Sequence, residues 1–367
     1  MATRSPRSRP SVTPTWAPDT ELVGIVLNLQ PDRDGQLYPQ YAIGLHAWFL
    51  DQVRQHDPDL SASLHDEQAE KPFTLSRLIG VDPAQGGYLP LYAAQTYRWK
   101  ITGLSHRVVE WLAVWLRSLP PYLDLRDIKL RITGWTIAQP PTTYAQVLKT
   151  APASPLTLSF VSPTSFRHRG HHLPLPLPTN VFHSYLRRWN TFAATTYDGE
   201  DFLDWVDEVV VISQHQLQSI KVLGGKRGSV TGFIGSVEFG LNGKYQDELD
   251  YRQLFFALGQ LAPYTGTGHK TTFGLGQTQL GWQEPTAPRL TSLQDLLAER
   301  IAYLTEQFVA LKQRQGGERA IRSAETWATI LARRELGESL QTIAADLEMP
   351  YETVKSYVKL ARRAIES

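Results

Sequence analysis

The sequence predicts an α+β chain: two consecutive mixed units, then a small all-α domain. Three observations carry this. A β-rich run, a helix, two β-rich runs, a second helix and another strand follow one another between residues 21 and 138. A comparable succession fills 144–284 and includes, before its last strand, the glycine-rich run GTGHKTTFGLG at 266–276. Beyond Pro285 the apolar spacing is helical only. The order β-α-β-β-α-β is that of a ferredoxin-like unit, so the prediction is two tandem ferredoxin-like domains and a helix-turn-helix domain.

In the first unit, residues 22–30 (LVGIVLNLQ) are rich in strand formers. Leu45, Trp48, Phe49 and Val53 recur at helical spacing within 40–56. Strands are expected near 87–92 and 97–103, a helix at 105–117 and a strand at 127–137. A Pro/Thr-rich linker covers 138–143. In the second unit, strands are expected at 145–150 and 154–161. Pro174, Pro176 and Pro178 precede an amphipathic helix around 180–195. Strands near 207–223 and 229–239, a helix at 248–262 and a strand at 276–281 complete it.

Residues 285–322 read as a helical linker, with a long helix over 290–314 broken at Gln315-Gly316-Gly317. In 323–367, Leu340, Ile343, Ala344 and Leu347 make one short amphipathic helix and Met349-Pro350 a turn. The next helix turns Val354, Val358 and Ala361 inward and Lys355, Lys359, Arg362 and Arg363 outward, which is helix-turn-helix spacing. That face suits DNA or a protein partner.

The chain has 367 residues and no cysteine, which excludes disulfides, thiolate chemistry and cysteine-ligated zinc and fits a reducing, cytoplasmic setting. No apolar run reaches 18 residues, so no membrane span is expected. Residues 1–20 carry Arg4, Arg7 and Arg9 without an apolar run and read as a disordered basic tail. The net charge of +1 means that any nucleic-acid binding must use local basic surface. Arg167 with Arg169, and Lys226 with Arg227, are such places.

Gly266, Gly268, Gly274 and Gly276 bracket His269, Lys270 and Thr271. Successive amides in such a loop can cradle an anion, with Lys270 adding charge. Neither a mononucleotide nor a dinucleotide phosphate motif is matched. A tight hairpin with no ligand is the plain alternative. Metal-free RNA cleavage needs a base for the 2′-hydroxyl, an acid for the 5′-oxygen and a cation or amides for the phosphorane. Histidine and lysine suit these roles, and His46, His65 and Lys71 are the candidates; the plain alternatives are a border residue of the first helix for His46 and ordinary surface or capping groups for His65 and Lys71. His168, His171 and His172 cluster, but no carboxylate partner gives them metal-site spacing.

The segments LHDEQAEKPFTLSRL (64–78), LSFVSPTSFR (158–167), GSVTGFIGSVEF (228–239) and GTGHKTTFGLG (266–276) together resemble the Cas6 family of CRISPR precursor-RNA endoribonucleases. The run PLPLPTNVFHSYLRRWNTF (174–192) resembles cyanobacterial members in particular. The resemblance implies two ferredoxin-like (RAMP) domains and cleavage of repeat RNA without cofactor or metal, leaving a 2′,3′-cyclic phosphate and a guide RNA that passes to an effector complex. It implies catalytic roles for His65 and Lys71 in one branch, whose tyrosine is replaced here by Leu50. Other branches place the histidine on the first helix, where this chain has His46, which is favoured. An inactive repeat-binding scaffold and a DNA-binding regulator are the competing readings.

Overall fold

The computed structural model describes residue 14 and residues 16–64, 70–126, 128–151, 155–224, 228–242, 248–284, 291–311 and 318–366. His65, Lys226 and Arg227 lie outside these residues, as does most of the predicted N-terminal tail. Residues 16–20 are not tail-like: Trp16 lies edge-on to Trp135 and Thr20 is buried.

The first unit is built on strand β1 (Leu22–Pro31), whose residues are apolar enough to be buried along most of its length. After a short strand β2 (Gly35–Leu37), helix α1 (Tyr41–His56) buries Tyr41, Leu45, Phe49 and Val53. Asp57-Pro58 ends it, and a short helix α2 (Pro58–Leu64) follows. Strands β3 (Phe73–Leu75), β4 (Leu89–Leu91) and β5 (Tyr97–Gly103) precede helix α3 (His106–Trp115), which the Ser105 side chain caps. Strands β6 (Tyr122–Leu125) and β7 (Ile128–Thr142) close the unit. The sheet order β3-β5-β1-β7-β6 is antiparallel throughout and contains the ferredoxin-like arrangement, with β6 added at one edge. Its second strand is therefore β3. The predicted strand at 87–92 pairs with β2 in a separate two-stranded ribbon. The predicted linker at 138–143 is largely the end of β7.

Helix α4 (Tyr144–Leu148) stands where a strand was expected at 145–150. Thr143 and Gln146 form a reciprocal capping box that satisfies its first amides. Strand β8 (Leu156–Thr164) leads into a hairpin of β9 (Phe166–His168) and β10 (His171–Leu173). Arg169 and Gly170 turn that hairpin at positive φ. Helix α5 (Pro178–Phe192) starts on a proline. Helix α6 (Gly199–Val209), capped by Asp198, occupies the start of the strand predicted at 207–223, and β11 runs only over Val210–Leu223. Strand β12 (Ser229–Leu241), helix α7 (Leu249–Thr265) and strand β13 (Thr278–Leu280) complete a sheet of order β11-β12-β8-β13. The same ferredoxin-like order thus recurs, over a core of Phe160, Phe182, Tyr185, Trp189 and Phe255.

The C-terminal region is all-α: α8 (Leu293–Leu311), α9 (Glu318–Glu335), α10 (Leu340–Asp346) and α11 (Tyr351–Glu366). Leu304 and Phe308 of α8 share a core with Ala328, Leu331, Ile343, Val354 and Val358. The described part of 285–322 therefore packs with the helices after it and is not a free linker. The region is seated on both units through Leu296, which packs with Ala84 of the first and Leu223 of the second. Beside it Arg300 pairs with Glu335 at 2.8 Å and lies over the rings of Tyr88 and Tyr303. No helix among the described residues is long and apolar enough to cross a membrane.

Candidate active site at the seam between the two units

The loop at 266–276 leaves α7 at Gly266 and returns the chain to the sheet as β13. It lies at the contact between the two units, to which the ends of α7 and β11 also contribute. Thr74 donates to the Tyr264 carbonyl at 3.2 Å, Lys100 to the Pro263 carbonyl at 2.8 Å and Arg77 to the Leu223 carbonyl at 2.9 Å. Burial lowers the Lys100 ammonium to about 8. These groups edge an open cleft of about 540 Å³ lined by residues of both units, among them Arg77, Lys100, Ser162, Gly274 and Gln277.

All four loop glycines sit at positive φ, and a side chain at each would strike the protein itself. A Cβ at Gly276 would come 2.0 Å from the Thr267 carbonyl oxygen, and one at Gly274 would come 2.6 Å from the Arg77 amide. Close approach of backbone to backbone, rather than to a ligand, is what demands glycine here. The predicted amide cradle is also largely used up. The amides of Gly266, Thr267, Gly268, His269, Phe273, Leu275 and Gly276 donate to protein acceptors.

Two predicted loop contacts are turned inward as well. Lys270, in left-handed backbone, donates to the Gly224 carbonyl, and burial lowers the pKa of its ammonium, with Arg167 adding to the effect. His269 donates Nδ1–H to the Ser165 carbonyl at 2.7 Å and stacks on His172, with ring centroids 5.1 Å apart. A carbonyl can only accept, so that bond fixes the tautomer. Burial brings His269 down to about 4, with His172, Lys270 and Arg167 pushing the same way, so the ring is neutral near pH 7. By contrast, Arg167 and Arg169 of the adjoining hairpin are exposed.

The seam brings one candidate histidine to the loop. His46, on α1 of the first unit, stacks on Phe273 of the second at a centroid distance of 4.3 Å and an interplanar angle of 20°. Phe73 of β3 lies 6.1 Å away, centroid to centroid. α1 places His46 one residue beyond the buried Leu45, at the border of its apolar face. Lys71 donates to the Leu64 carbonyl at 2.9 Å, across the segment that holds His65 in the sequence.

The residue that sequence reading missed is Arg188 of α5. Its guanidinium is 4% exposed and donates to the Ser184 carbonyl and hydroxyl, to the carbonyls of Gly266 and Gly268, and to the Thr271 hydroxyl. Glu70 lies 3.6 Å from its Nε and also pairs with Arg187 at 2.7 Å. Burial lowers Arg188 to about 10, Glu70 opposing the shift, so it stays charged at neutral pH.

A model of the Cas6 N-terminal domain matches residues 23–116, and a model of the CRISPR-associated endoribonuclease Cas6 matches 158–278. The chain has a Cas6-family endoribonuclease fold. The two matches, in this order, mark it as an RNA-cleaving, Cas6-like enzyme, and α8–α11 form an extra region beyond both. A product complex of a Thermus thermophilus Cas6 is similar at a TM-score of 0.60 and 24% identity, over 71% of this chain and 100% of that one. A second Cas6 product complex is 25% identical, with a TM-score of 0.56, over 71% of this chain and 99% of that one. A Cas6-related protein from Pyrococcus furiosus shares the fold at 11% identity and a TM-score of 0.51, over 72% of this chain and 100% of that one. No curated protein sequence matches the chain.

Proposed function

We propose that the chain cleaves CRISPR repeat RNA in precursor transcripts without a metal ion, by attack of a 2′-hydroxyl on the adjacent phosphorus. The observation that carries this reading is the stack of His46 on Phe273, which puts a titratable ring of the first unit against the loop of the second. In the reaction the 2′-oxygen loses its proton and bonds to phosphorus. The bond from phosphorus to the 5′-oxygen breaks, that oxygen takes up a proton, and a 2′,3′-cyclic phosphate remains. His46 is the residue we assign to proton transfer. Lys71, and His65 in the undescribed segment beside it, are the alternative pair.

Arg167 and Arg169 are assigned to the RNA backbone, with Lys226 and Arg227 as further contacts. Gly266, Gly268, Thr271, Gly274 and Gly276 shape the loop. The exposed face of α11, with Lys355, Lys359, Arg362 and Arg363, is assigned to a second polyanion such as DNA or to an acidic face of an effector subunit. Its helix-turn-helix character and the cyanobacterial affinity of 174–192 rest on the sequence pattern. A cytoplasmic site fits the cysteine-free composition and an RNA substrate.

The test is incubation of labelled repeat RNA with the protein in chelator, followed by analysis of the product ends. A 2′-deoxy substitution immediately 5′ of the cut should abolish cleavage and leave binding nearly unchanged. Cleavage of the deoxy substrate, or a strict magnesium requirement, overturns the mechanism.

A further inference from the structure

A buried arginine is expensive to desolvate, and a hydrophobic side chain of similar size is often no worse for stability. Arg188 therefore calls for a reason other than packing, and its partners supply one. They come from three separate parts of the chain. Ser184 belongs to its own helix. Gly266, Gly268 and Thr271 belong to the loop of the second unit. Glu70 belongs to the first unit and immediately precedes Lys71. The loop bonds fix the backbone just before Phe273, which carries the stack on His46. Gly268 is further pinned by its amide, which donates to the Ser184 hydroxyl at 2.9 Å, the same hydroxyl that accepts from Arg188 at 2.8 Å. Tyr185, one turn before Trp189 on α5, reaches Thr267 at 2.5 Å, so the same helix holds the loop at two successive points.

The geometry points to Arg188 as a positioning residue for RNA cleavage: one buried guanidinium that ties the 266–276 loop and the Glu70–Lys71 segment to α5, and so holds Phe273 against His46. This rests on the cleavage reading above. The guanidinium touches neither His46 nor Phe273; it acts through the backbone between them. Its planar fork serves the loop carbonyls and the carboxylate at once, which an ammonium on a flexible stem cannot do.

The experiment uses full-length Arg188→Lys and Glu70→Gln, each assayed for single-turnover cleavage of repeat RNA, RNA affinity, thermal unfolding and amide hydrogen exchange. A misplacement of about 1 Å can cost roughly 10²-fold in rate. The expected result is a cleavage rate about 10- to 100-fold lower in both variants, with affinity within about threefold of the parent. The double variant should lose less than the two single losses combined, since both remove the Arg188–Glu70 pair. In Arg188→Lys, exchange at 268–273 should rise while that of the α7 interior stays unchanged. If Arg188→Lys does not fold, Glu70→Gln decides, because it leaves every carbonyl bond of the guanidinium in place. Folded variants that cleave at the parental rate overturn the proposal. So do variants that lose rate and affinity alike while exchange rises throughout the second unit, as a merely structural role requires. If the parent itself cuts no repeat RNA, the cleavage reading fails, and unchanged exchange at 268–273 in folded Arg188→Lys then refutes the tie independently.

Discussion

The 266–276 loop and the 166–173 hairpin are neighbours, joined by the stacked rings of His269 and His172, yet they use their cations in opposite ways. In and under the loop, Lys270 and Arg188 are tied to backbone carbonyls. His269 is kept neutral by burial. On the hairpin, Arg167 and Arg169 stand in solvent at a tight turn. A cation whose donors already meet carbonyls has little left for a phosphate, and freeing it would leave buried oxygens unpaired. On the function proposed above, the loop then serves as scaffold and the hairpin as the surface offered to RNA, although both look basic in sequence. Damage to what the loop holds should appear in the rate. Damage to the hairpin should appear in affinity and its salt dependence.

The largest effect expected is at the ring the loop supports. General acid–base catalysis contributes about 10²–10⁴-fold. His46→Ala should lose that much in single-turnover rate, with affinity changed by less than about fivefold. His46→Phe separates chemistry from packing: it keeps an aromatic ring on Phe273 but cannot carry a proton. It should be as slow as His46→Ala while unfolding at nearly the parental temperature. A His46→Phe enzyme that cuts at the parental rate would remove His46 from the chemistry and leave Lys71 and His65 to account for it.

A smaller effect sharpens the contrast itself. Each phosphate contact contributes about 0.7 to the slope of log K against log salt on single-stranded RNA, and somewhat more on a duplex. Replacing Arg167 and Arg169 together by alanine should lower that slope by roughly 1.4 to 1.8. Lys270→Met should leave it unchanged, because the ammonium it removes is engaged with Gly224. A drop for Lys270→Met as large as one arginine gives would put Lys270 back on the RNA and dissolve the distinction.

How much of this was legible follows from the physics of each signal. α1 and α7 are long enough for apolar periodicity to be read, and the succession of strands around the helices pointed to the ferredoxin-like class even though the strand at 87–92 lies outside the main sheet. β3 was missed because Phe73, Thr74 and Leu75 are all buried, so nothing alternates. α4 and α6 carried readable caps, Thr143 with Gln146 and Asp198, but the apolar runs beside them looked like strands. The glycines marked the loop correctly. Their reason is contact with backbone: within the loop for Gly266 and Gly276, and with the chain just after β8 and β3, which arrives from far away in sequence, for Gly268 and Gly274. Arg188 did leave a trace: with Val181 and Tyr185 it falls at i, i+4 and i+7, on the buried stripe of α5. A charged residue on an apolar stripe is a question that only its partners can answer.

The smallest effect on cleavage is expected from the C-terminal helices, and here the place of the cut matters more than the cut. The sequence suggests ending the chain at the glycine pair after Gln315. That would keep α8 but remove α9–α11, baring Leu304 and Phe308 and depriving Arg300 of Glu335. Leaving one charge of a half-buried pair without its partner is costly. A chain ending at Gln315 should therefore aggregate or unfold early, for reasons unrelated to RNA. A chain ending at Glu284 removes α8 as well and exposes on the body the small cluster of Ala84, Leu223 and Leu89 and the neighbouring ring of Tyr88. It should stay folded, unfold a few degrees lower (about 1 kcal/mol for a domain of this size), and cut repeat RNA within about threefold of the full chain. Its affinity for DNA or an effector subunit should fall. The decisive pairing is cleavage rate against unfolding temperature for the two truncations. If the Glu284 chain is folded and inert, the helices belong to the processing site, and the seat of Arg300 on Tyr88 is part of how the enzyme holds its substrate.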